Sequence, residues 1–195
     1  MTALHEVVIP GAPAALAQQL SAMVPTVETA RTRLRALRLS DMGAWAEILC
    51  TDRSRWMDGP MSRDDAFVEL AASAGGWLLR GIGFWAVEAR DSGEVLGFAG
   101  VNMEPSDREP ELGYFFREAA EGRGYATEAC QAARGWAWAQ GLPSLVSYVD
   151  PENLRSAAVA ERLGARRDAE AEAAYAGTPD EGVAVYRHSR PEIAA

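Results

Sequence analysis

The amino-acid sequence predicts an α/β (α+β) fold, with a mixed central sheet of about seven strands flanked by about four helices. Strand-like segments alternate with helical ones along the chain, and one long helical segment lies between residues 116 and 145. A helical crossover between adjacent strands makes them parallel, whereas a short turn such as Asp91-Ser92-Gly93 joins antiparallel strands. A sheet that contains both kinds of connection is mixed.

The chain divides into a short extension and one domain. Its 195 residues are the length of a single domain with an appendage. Residues 1–26 form the predicted extension, which is partly helical because residues 14–23 favour a helix and Pro13 suits a first turn. Residues 27–190 form the predicted domain. For the extension, a cap on a sheet edge, a homodimer contact and a disordered arm all remain open.

Charge and hydropathy narrow the class of partner. The formal net charge is −9, which argues against nucleic acid because its phosphates would be repelled. The charge suits a cationic substrate such as an amine, although solubility alone also explains it. No apolar run approaches the ~20 residues that span a bilayer, so no membrane partner is expected.

The cysteines and histidines carry no predicted chemistry. Cys50 and Cys130 are far apart in helix-like segments, which indicates buried free thiols in a reducing cytoplasm. The chain begins without a basic and apolar secretion signal, so a cytoplasmic location is expected. His5 and His188 lack metal-ligand spacing, and no metal site is predicted.

The first half of the domain supplies a strand and two helices. Residues 32–39 alternate in polarity and predict the first strand, with Arg33 and Arg35 facing outward. Helices are predicted over residues 41–50 and 62–79, the second with a capping signal at its start. The remaining predicted elements are strands over 84–89, 94–102 and 109–116, a helix over 124–140, a strand over 145–149, a helix capped by Asp150 that ends at Leu163, and strands over 166–174 and 182–188.

The most informative segment is Glu-Gly-Arg-Gly-Tyr-Ala-Thr-Glu-Ala at residues 121–129, between a strand-like run and the long helix. Gly122 and Gly124 allow the backbone to approach a ligand without a Cβ clash. The free N–H groups of the first helical turn, together with the positive end of the helix dipole, then favour an anion. The segment therefore predicts a phosphate-binding loop for a nucleotide-containing cofactor.

The spacing of this loop excludes two common phosphate sites. A Walker loop requires Gly-x-x-x-x-Gly-Lys-Ser/Thr, and the sequence has no such run. A dinucleotide fingerprint requires Gly-x-Gly-x-x-Gly/Ala, but Thr127 stands at its last position. The acidic residue expected about 20 positions further on is also missing. Rossmann-type binding is therefore disfavoured.

Five segments in order make residues 27–188 similar to the GNAT acyl-CoA N-acyltransferases, and most of all to the branch of ribosomal-protein N-terminal alanine acetyltransferases. The segments are ETARTRLR (28–35), GEVLGFAG (93–100), ELGYF (111–115), GRGYATEA (122–129), and DPENLRS (150–156) with Leu163-Gly164. The resemblance implies the GNAT fold, with a glycine loop that cradles the pyrophosphate of acetyl-CoA. It also implies that the preceding strand splays from its neighbour and binds the pantetheine arm.

The sequence departs from the family pattern at two positions. Glu121 stands where Gln, Arg or an aromatic residue is common, and we expect its carboxylate to point to solvent. Ala165 replaces a phenylalanine after Gly164. The cofactor contacts that the resemblance implies are Phe115, Phe116, Arg117, Gly122, Arg123, Gly124, Tyr125, Ala126, Thr127, Asn153 and Ser156, mostly through backbone N–H groups in the loop.

Glu111 is the candidate general base. The attacking amine must be neutral, and the resemblance implies a carboxylate on this strand that acts through water. A solvated strand glutamate is the plainer alternative. Glu109 is the reserve, because regular alternation would place it on the same face.

Ser156 is the candidate acid that returns a proton to the CoA thiolate. It lies one helical turn after Asn153, so both side chains share a face. A capping asparagine and a packing serine remain the alternative, and Tyr114 and Tyr148 are other possible donors. Trp56, Glu111 and Tyr148 are the predicted acceptor-binding residues, whereas Trp45 and Trp85 are expected in the core.

The expected function is transfer of an acetyl group from acetyl-CoA to a primary amine, either a protein N-terminus or a small molecule. A non-catalytic acyl-CoA-binding module and a transferase that uses a longer acyl-CoA remain open alternatives. The resemblance favours the α-amine of a protein, by analogy of family.

Overall fold

The computed structural model describes residues 3–190, which form one mixed sheet of eight strands and six α-helices. The predicted α/β fold is confirmed, with one strand and two helices more than expected. The strands are β1 Val27–Glu28, β2 Thr32–Arg35, β3 Phe84–Ala89, β4 Val95–Asn102, β5 Glu111–Phe116, β6 Val146–Val149, β7 Arg166–Arg167 and β8 Ala184–Arg187. The helices are α1 Ala12–Met23, α2 Met42–Leu49, α3 Arg63–Arg80, α4 Tyr125–Ala139, α5 Leu154–Arg162 and α6 Ala169–Ala173.

The sheet has the strand order β1-β2-β3-β4-β5-β6-β8-β7. Strands β5 and β6 are parallel, and every other described pair is antiparallel. Helix α4 connects the parallel pair, as the predicted crossover requires. The turn after β3 forms the predicted antiparallel connection to β4.

The parallel pair separates soon after it forms. Strand β5 pairs with β4 along its whole length, but with β6 only at Glu111 and Val146. The Val146 N–H donates to the Pro110 carbonyl at 3.0 Å, and the Ser147 hydroxyl donates to the Leu112 carbonyl at 2.8 Å. Beyond this point the ladder ends, and a cleft separates the two strands.

A core lies on each face of the sheet. Helix α4 presents small buried residues such as Ala129, Ala133 and Ala137 to one face, which lets the helix lie close to the strands. Helix α2 covers the other face, where the Trp45 ring lies 4.6 Å from that of Phe98. Trp45 and Trp85 are buried in these cores, as expected.

Several local predictions are wrong, among them the first strand, which ends at Arg35 and not at residue 39, and is followed by a 3₁₀ turn at Leu39–Asp41. Arg35 is buried instead of facing outward, because Asp41 and Glu88 both accept hydrogen bonds from its guanidinium. The strand predicted over 166–174 ends after Arg167, since Asp168 caps α6 by accepting from a backbone N–H at 3.0 Å. The strand predicted from residue 109 begins at Glu111.

Several contacts attach the N-terminal region to the domain, including a hydrogen bond of 2.7 Å from the Trp85 indole N–H to the Pro25 carbonyl and edge-on packing of His5 against Phe67. Glu6 accepts two hydrogen bonds from Arg63 at the start of α3, at 2.6 and 2.8 Å. The predicted helix spans Ala12–Met23 with Pro13 in its first turn, and no residue of it is buried. Residues 1 and 2 of the predicted extension lie outside the described residues. No helix within residues 3–190 is long and apolar enough to cross a bilayer.

Candidate active site

The gap between β5 and β6 opens into a cleft of about 1940 Å³. One side of the cleft is the edge of β5 and the loop that follows it, and the other side is β6 and the start of α5. Residues from the loop over residues 52–61 and from residues 102–107 also line the cleft. The cleft therefore runs from the glycine loop to the point where β5 begins.

The glycine loop has the conformation that its sequence predicts. Gly122 and Gly124 have φ angles of 70° and 79°, in the left-handed region that favours glycine. Gly124 is the N-cap of α4, and no side chain caps this helix. The first helical hydrogen bond runs from Glu128 N to the Gly124 carbonyl at 3.1 Å. The N–H groups of Tyr125–Thr127 thus lack helical partners and suit an anion.

A contact that sequence reasoning missed holds this loop in place. The Glu128 carboxylate accepts hydrogen bonds from the Thr29 hydroxyl at 2.6 Å and from the Arg31 backbone N–H at 2.8 Å. The Arg31 guanidinium donates to the Arg123 carbonyl at 2.9 Å and lies 4.7 Å from the Tyr125 ring centre. The β1–β2 hairpin therefore anchors the loop and the first turn of α4. The segments around Thr29 and Glu128 carry the family resemblance, which is the one signal for this contact in the sequence.

The two arginines predicted beside the phosphates are placed differently. The Arg123 side chain is exposed and lies 5.0 Å from the Tyr125 ring centre, away from the cleft lining. Arg117 donates hydrogen bonds of 2.8 Å to each of Glu47 and Glu94. Its side chain is absent from the cleft lining, so the structure does not support its predicted role as a cofactor contact.

Phe115 and Phe116 both line the cleft. The Phe115 ring packs against Trp45 at 4.9 Å, which fixes this part of β5. The Phe116 carbonyl points away from β4 and accepts a hydrogen bond of 2.9 Å from Arg53 Nη2. The backbone of β5 is therefore presented to the cleft, while one of its aromatic rings is held in the core.

Glu111 lies where the pairing of β5 with β6 ends, and it lines the cleft. Its Oε1 accepts a weak hydrogen bond from Tyr148 N at 3.4 Å. Burial raises the pKa of Glu111 to about 8, and the nearby negative charges of Asp107 and Glu104 add to the shift. The carboxyl is consequently protonated for most of the time at neutral pH.

Glu109, the reserve candidate for the base, is paired with Arg187. Its two carboxylate oxygens each accept a hydrogen bond of 2.7 Å from Arg187. These hydrogen bonds hold its pKa below the usual value. Glu109 does not line the cleft, so Glu111 is the carboxylate of this pair that can meet a substrate.

Several acidic side chains lie near Glu111 in the cleft. Burial and the charge of Asp180 raise the pKa of Asp107. The carboxylates that share this part of the cleft are Asp58, Glu69, Glu104, Asp107, Glu111 and Asp180. Their field favours a cation over an anion at this end of the cleft.

Ser156 lies across the cleft from β5. Its Oγ accepts a hydrogen bond of 3.0 Å from the Tyr114 hydroxyl. Burial raises the pKa of Tyr114, so its phenol stays neutral and can donate. Asn153, and not Asp150, is the N-cap of α5, and its Oδ1 accepts from Ser156 N at 3.2 Å. The side chain of Asn153 is thus occupied in capping, which was the alternative to a cofactor contact.

Tyr148 and Trp56 both line the cleft. The Tyr148 hydroxyl accepts a hydrogen bond of 3.1 Å from Glu109 N, and its ring lies edge-on to Tyr175 at 5.6 Å. Tyr148 therefore fixes the loop that precedes β5. The Trp56 ring is half-buried with the Arg55 guanidinium 5.0 Å from its centre, which leaves it available to an acceptor.

Glu121 does not point to solvent as expected. Its carboxylate forms ion pairs with Arg53, from the loop after α2, and with Arg155, from the first turn of α5. All three side chains line the cleft. Sequence reasoning missed both arginines: Arg53 lies outside every motif, and Arg155 lies within the DPENLRS segment but was given no role.

Comparisons with known proteins agree with this geometry. Residues 31–166 match the model of a family described as acetyltransferase (GNAT) domain. The acetyltransferase from Agrobacterium tumefaciens strain C58 has a crystal structure that is 37% identical, with a TM-score of 0.78 over 86% of this chain and 95% of that one. The chain is also 31% identical over 87 residues to the uncharacterized protein YkkB of Bacillus subtilis strain 168. That match covers 43% of this chain and 51% of YkkB, so it spans about half of the curated relative's length.

A ribosomal-protein acetyltransferase shares the fold. The structure of RimL, described as a ribosomal L7/L12 α-N-protein acetyltransferase in complex with coenzyme A, is 19% identical. Its TM-score is 0.66, over 84% of this chain and 97% of RimL. At this level of sequence identity, the comparison shows a shared fold and no more.

Proposed function

This chain belongs to the GNAT acetyltransferase family, and from that premise we propose that it transfers the acetyl group of acetyl-CoA to a primary amine. One observation carries the proposal. A single cleft joins the phosphate-binding loop at Gly122–Thr127 to the half-buried carboxyl of Glu111. Strand β5 forms the wall between them, so a long donor bound at one end presents its thioester at the other.

The donor is proposed to bind along β5. Its diphosphate accepts hydrogen bonds from the N–H groups of Tyr125–Thr127 at the start of α4. Its pantetheine arm lies in the gap where β5 has no partner strand, as the family resemblance implies. The Phe116 carbonyl, which faces this gap, is one backbone group within reach. The bound coenzyme A in RimL supports this choice of donor.

The acceptor is proposed to be an amine because the end of the cleft near Glu111 is acidic. An amine attacks only when it is neutral. At pH 7 an α-amine loses its proton at a cost of ~1 kcal/mol, whereas a lysine amine requires ~4.6 kcal/mol. The α-amine of a peptide or protein therefore needs less help from a base. The function described for RimL, on an α-amine of a ribosomal protein, agrees with that preference.

The reaction needs one proton to leave the amine and one to reach sulfur. Ionised Glu111 takes a proton from the attacking amine, directly or through water, as the amine nitrogen bonds to the thioester carbonyl carbon. The carbon–sulfur bond then breaks and CoA leaves as a thiolate. Ser156, with the Tyr114 hydroxyl bonded to it, lies on the donor side of the cleft and is proposed to supply the proton to sulfur.

An amine screen tests this proposal. The protein is incubated with acetyl-CoA and a peptide with a free alanine N-terminus, the same peptide with a blocked N-terminus and an internal lysine, or small primary amines. We expect amine-dependent release of free thiol, greatest with the free N-terminus. Binding of acetyl-CoA without thiol release from any amine would instead support a non-catalytic module. The same screen with longer acyl-CoA donors determines the acyl length.

A further inference from the structure

A carboxylate and two arginines meet in front of the phosphate-binding loop. Glu121, the residue before Gly122, is hydrogen-bonded through one oxygen to Arg53 Nη2 and through the other to Arg155 Nη2. Arg53 comes from the loop between α2 and α3, and Arg155 comes from α5. We call Arg53, Glu121 and Arg155 the Glu121 cluster. It links three elements at the phosphate end of the cleft.

The charges in this cluster are only partly compensated within the protein. Burial favours the neutral form of Glu121, but hydrogen bonds from Arg155 and Arg53 outweigh it and hold its pKa below the usual value. Glu121 is therefore ionised at neutral pH. The trio carries one net positive charge, and two guanidinium groups converge on a single carboxylate.

Arg53 also has a donor that is not satisfied. Its Nε is buried and has no hydrogen-bond partner among residues 3–190, although Nη2 of the same guanidinium donates to Glu121 and to the Phe116 carbonyl. A buried N–H without an acceptor is unfavourable. Because Nε is buried in the free protein, an anion in the cleft can accept from it only after the Arg53 side chain turns away from Glu121.

A phosphate group has the geometry that this arrangement fits. Guanidinium groups bind phosphate and carboxylate with the same paired hydrogen bonds. Arg53 and Arg155 lie next to the loop whose N–H groups form the proposed diphosphate site. In the free protein, Glu121 supplies the negative charge that a phosphate would supply in the complex.

We propose that Arg53 and Arg155 bind a phosphate of coenzyme A, and that Glu121 competes with this phosphate for both guanidinium groups. This inference rests on the proposed function, because it takes acetyl-CoA as the donor. Binding of the coenzyme moves the two arginines from the carboxylate to the phosphate and leaves Glu121 with weaker partners. Glu121 thus lowers the affinity for donor and for product CoA alike, and it favours release of the product.

The opposite role for Glu121 gives the opposite result. If the carboxylate served only to hold both arginines in a geometry ready for phosphate, its removal would loosen them and weaken the binding of CoA. The direction of the change in affinity therefore decides between competition and positioning.

Calorimetric titration with CoA tests the proposal on the wild-type protein and on Glu121→Gln, which keeps the size of the side chain and removes its charge. We expect the Kd of Glu121→Gln to fall by about threefold to tenfold, because the phosphate no longer competes with a carboxylate. The matched control is Glu118→Gln, an exposed glutamate before the same loop with no ion pair among the described residues. An equal gain in the control would show a general effect of charge and overturn the proposal.

The arginine variants test the other half of the proposal. We expect Arg155→Ala and Arg53→Ala to raise the Kd for CoA by about threefold and about tenfold, since the first side chain is more exposed. Arg53→Lys keeps the charge but cannot form the paired hydrogen bonds of a guanidinium group. It replaces Arg53→Ala in this test if Arg53→Ala fails to fold. Unchanged affinity in Arg155→Ala and in the folded Arg53 variant would overturn the proposal.

Dephospho-CoA, which lacks the 3′-phosphate, identifies the phosphate. If the gain in Glu121→Gln persists with this ligand, the arginines bind the diphosphate, and if the gain disappears they bind the 3′-phosphate. A wild-type protein that binds no CoA would overturn the proposed function itself. Wild-type binding with an unchanged or higher Kd in Glu121→Gln would overturn only the role of Glu121.

Discussion

The Tyr114 hydroxyl lies 3.0 Å from Ser156 Oγ, and this hydrogen bond joins β5 to α5 across the cleft. Tyr114 also lies 3.2 Å from the Ser156 carbonyl oxygen. The contact spans the gap beyond the point where β5 and β6 are paired. It holds the two hydroxyls together as one unit. In the proposed reaction this unit faces the departing sulfur.

We predict that Ser156→Ala and Tyr114→Phe each lower kcat by about tenfold and that the double variant is no slower than the slower single variant. If the two hydroxyls act as one unit, either substitution removes its function, so the second substitution causes no further loss. The measurement is a double-mutant cycle of kcat with saturating acetyl-CoA. A double variant whose loss is the product of the two single losses would separate the residues in the mechanism.

Glu111→Gln should lower kcat by about a hundredfold, because the amine loses its proton acceptor. The Kd for CoA should not change, since Glu111 lies at the far end of the cleft from the glycine loop. The matched control is Glu109→Gln, two residues earlier, whose carboxylate pairs with Arg187 outside the cleft. Turnover by Glu109→Gln close to wild type supports the assignment, and wild-type turnover by Glu111→Gln contradicts it.

The pH dependence of turnover should report the same carboxyl group. Burial raises the pKa of Glu111 to about 8, so the base is fully ionised only above that value. We therefore expect kcat to rise with pH through about 8. The acceptor amine also titrates, so the profile of Glu111→Gln with the same acceptor is the reference. Two profiles of identical shape would exclude Glu111 as the titrating base.

The raised pKa also predicts the pH dependence of stability. A carboxyl whose folded pKa lies above its usual value of 4.5 contributes stability that is complete below pH 4.5 and is lost as pH rises through about 8. The free energy of unfolding of the wild type should therefore fall, relative to Glu111→Gln, between about pH 4.5 and about pH 8. Urea denaturation at both pH values measures this difference. A constant difference would mean that folding does not raise the pKa of this carboxyl.

The anchor of the glycine loop can be tested from the β1–β2 hairpin. Arg31→Ala removes the hydrogen bonds to Glu128 and to the Arg123 carbonyl, so the Kd for CoA should rise by about tenfold. Arg33→Ala is the matched control, because Arg33 lies in the same hairpin but pairs with Glu28 and Glu88 instead of with Glu128 or the glycine loop. Equal effects of the two substitutions would indicate a general effect of charge.

Features set by neighbouring residues were predictable from the sequence. Ser62 caps α3 by accepting from Asp65 N at 3.1 Å, three residues away, as its pattern indicated. The left-handed backbone conformation of Gly122 and Gly124 was predictable for the same reason. The cap of α5 was missed because Asp150 and Asn153 are both good cap residues in one short segment, and only the path of the chain selects Asn153.

The charged contacts of the site were not predictable, because their partners are distant in sequence. Arg53 and Glu121 are separated by 68 residues, and Arg31 and Glu128 by 97. Nothing local indicates which of several arginines reaches a carboxylate so far along the chain. The raised pKa of Glu111 likewise depends on burial and on charges that only the folded chain brings together.

Strands β5 and β6 are paired through a single pair of residues, so the sheet has few backbone hydrogen bonds along the line between them. Backbone hydrogen bonds make β1–β5 one unit and β6–β8 another, and between them the Ser147 side chain adds a hydrogen bond to the Leu112 carbonyl. Local opening is favoured where few backbone bonds must break. The domain can therefore flex along this line while both halves stay intact. We expect a ligand bound in the gap between β5 and β6 to restrict this flexing.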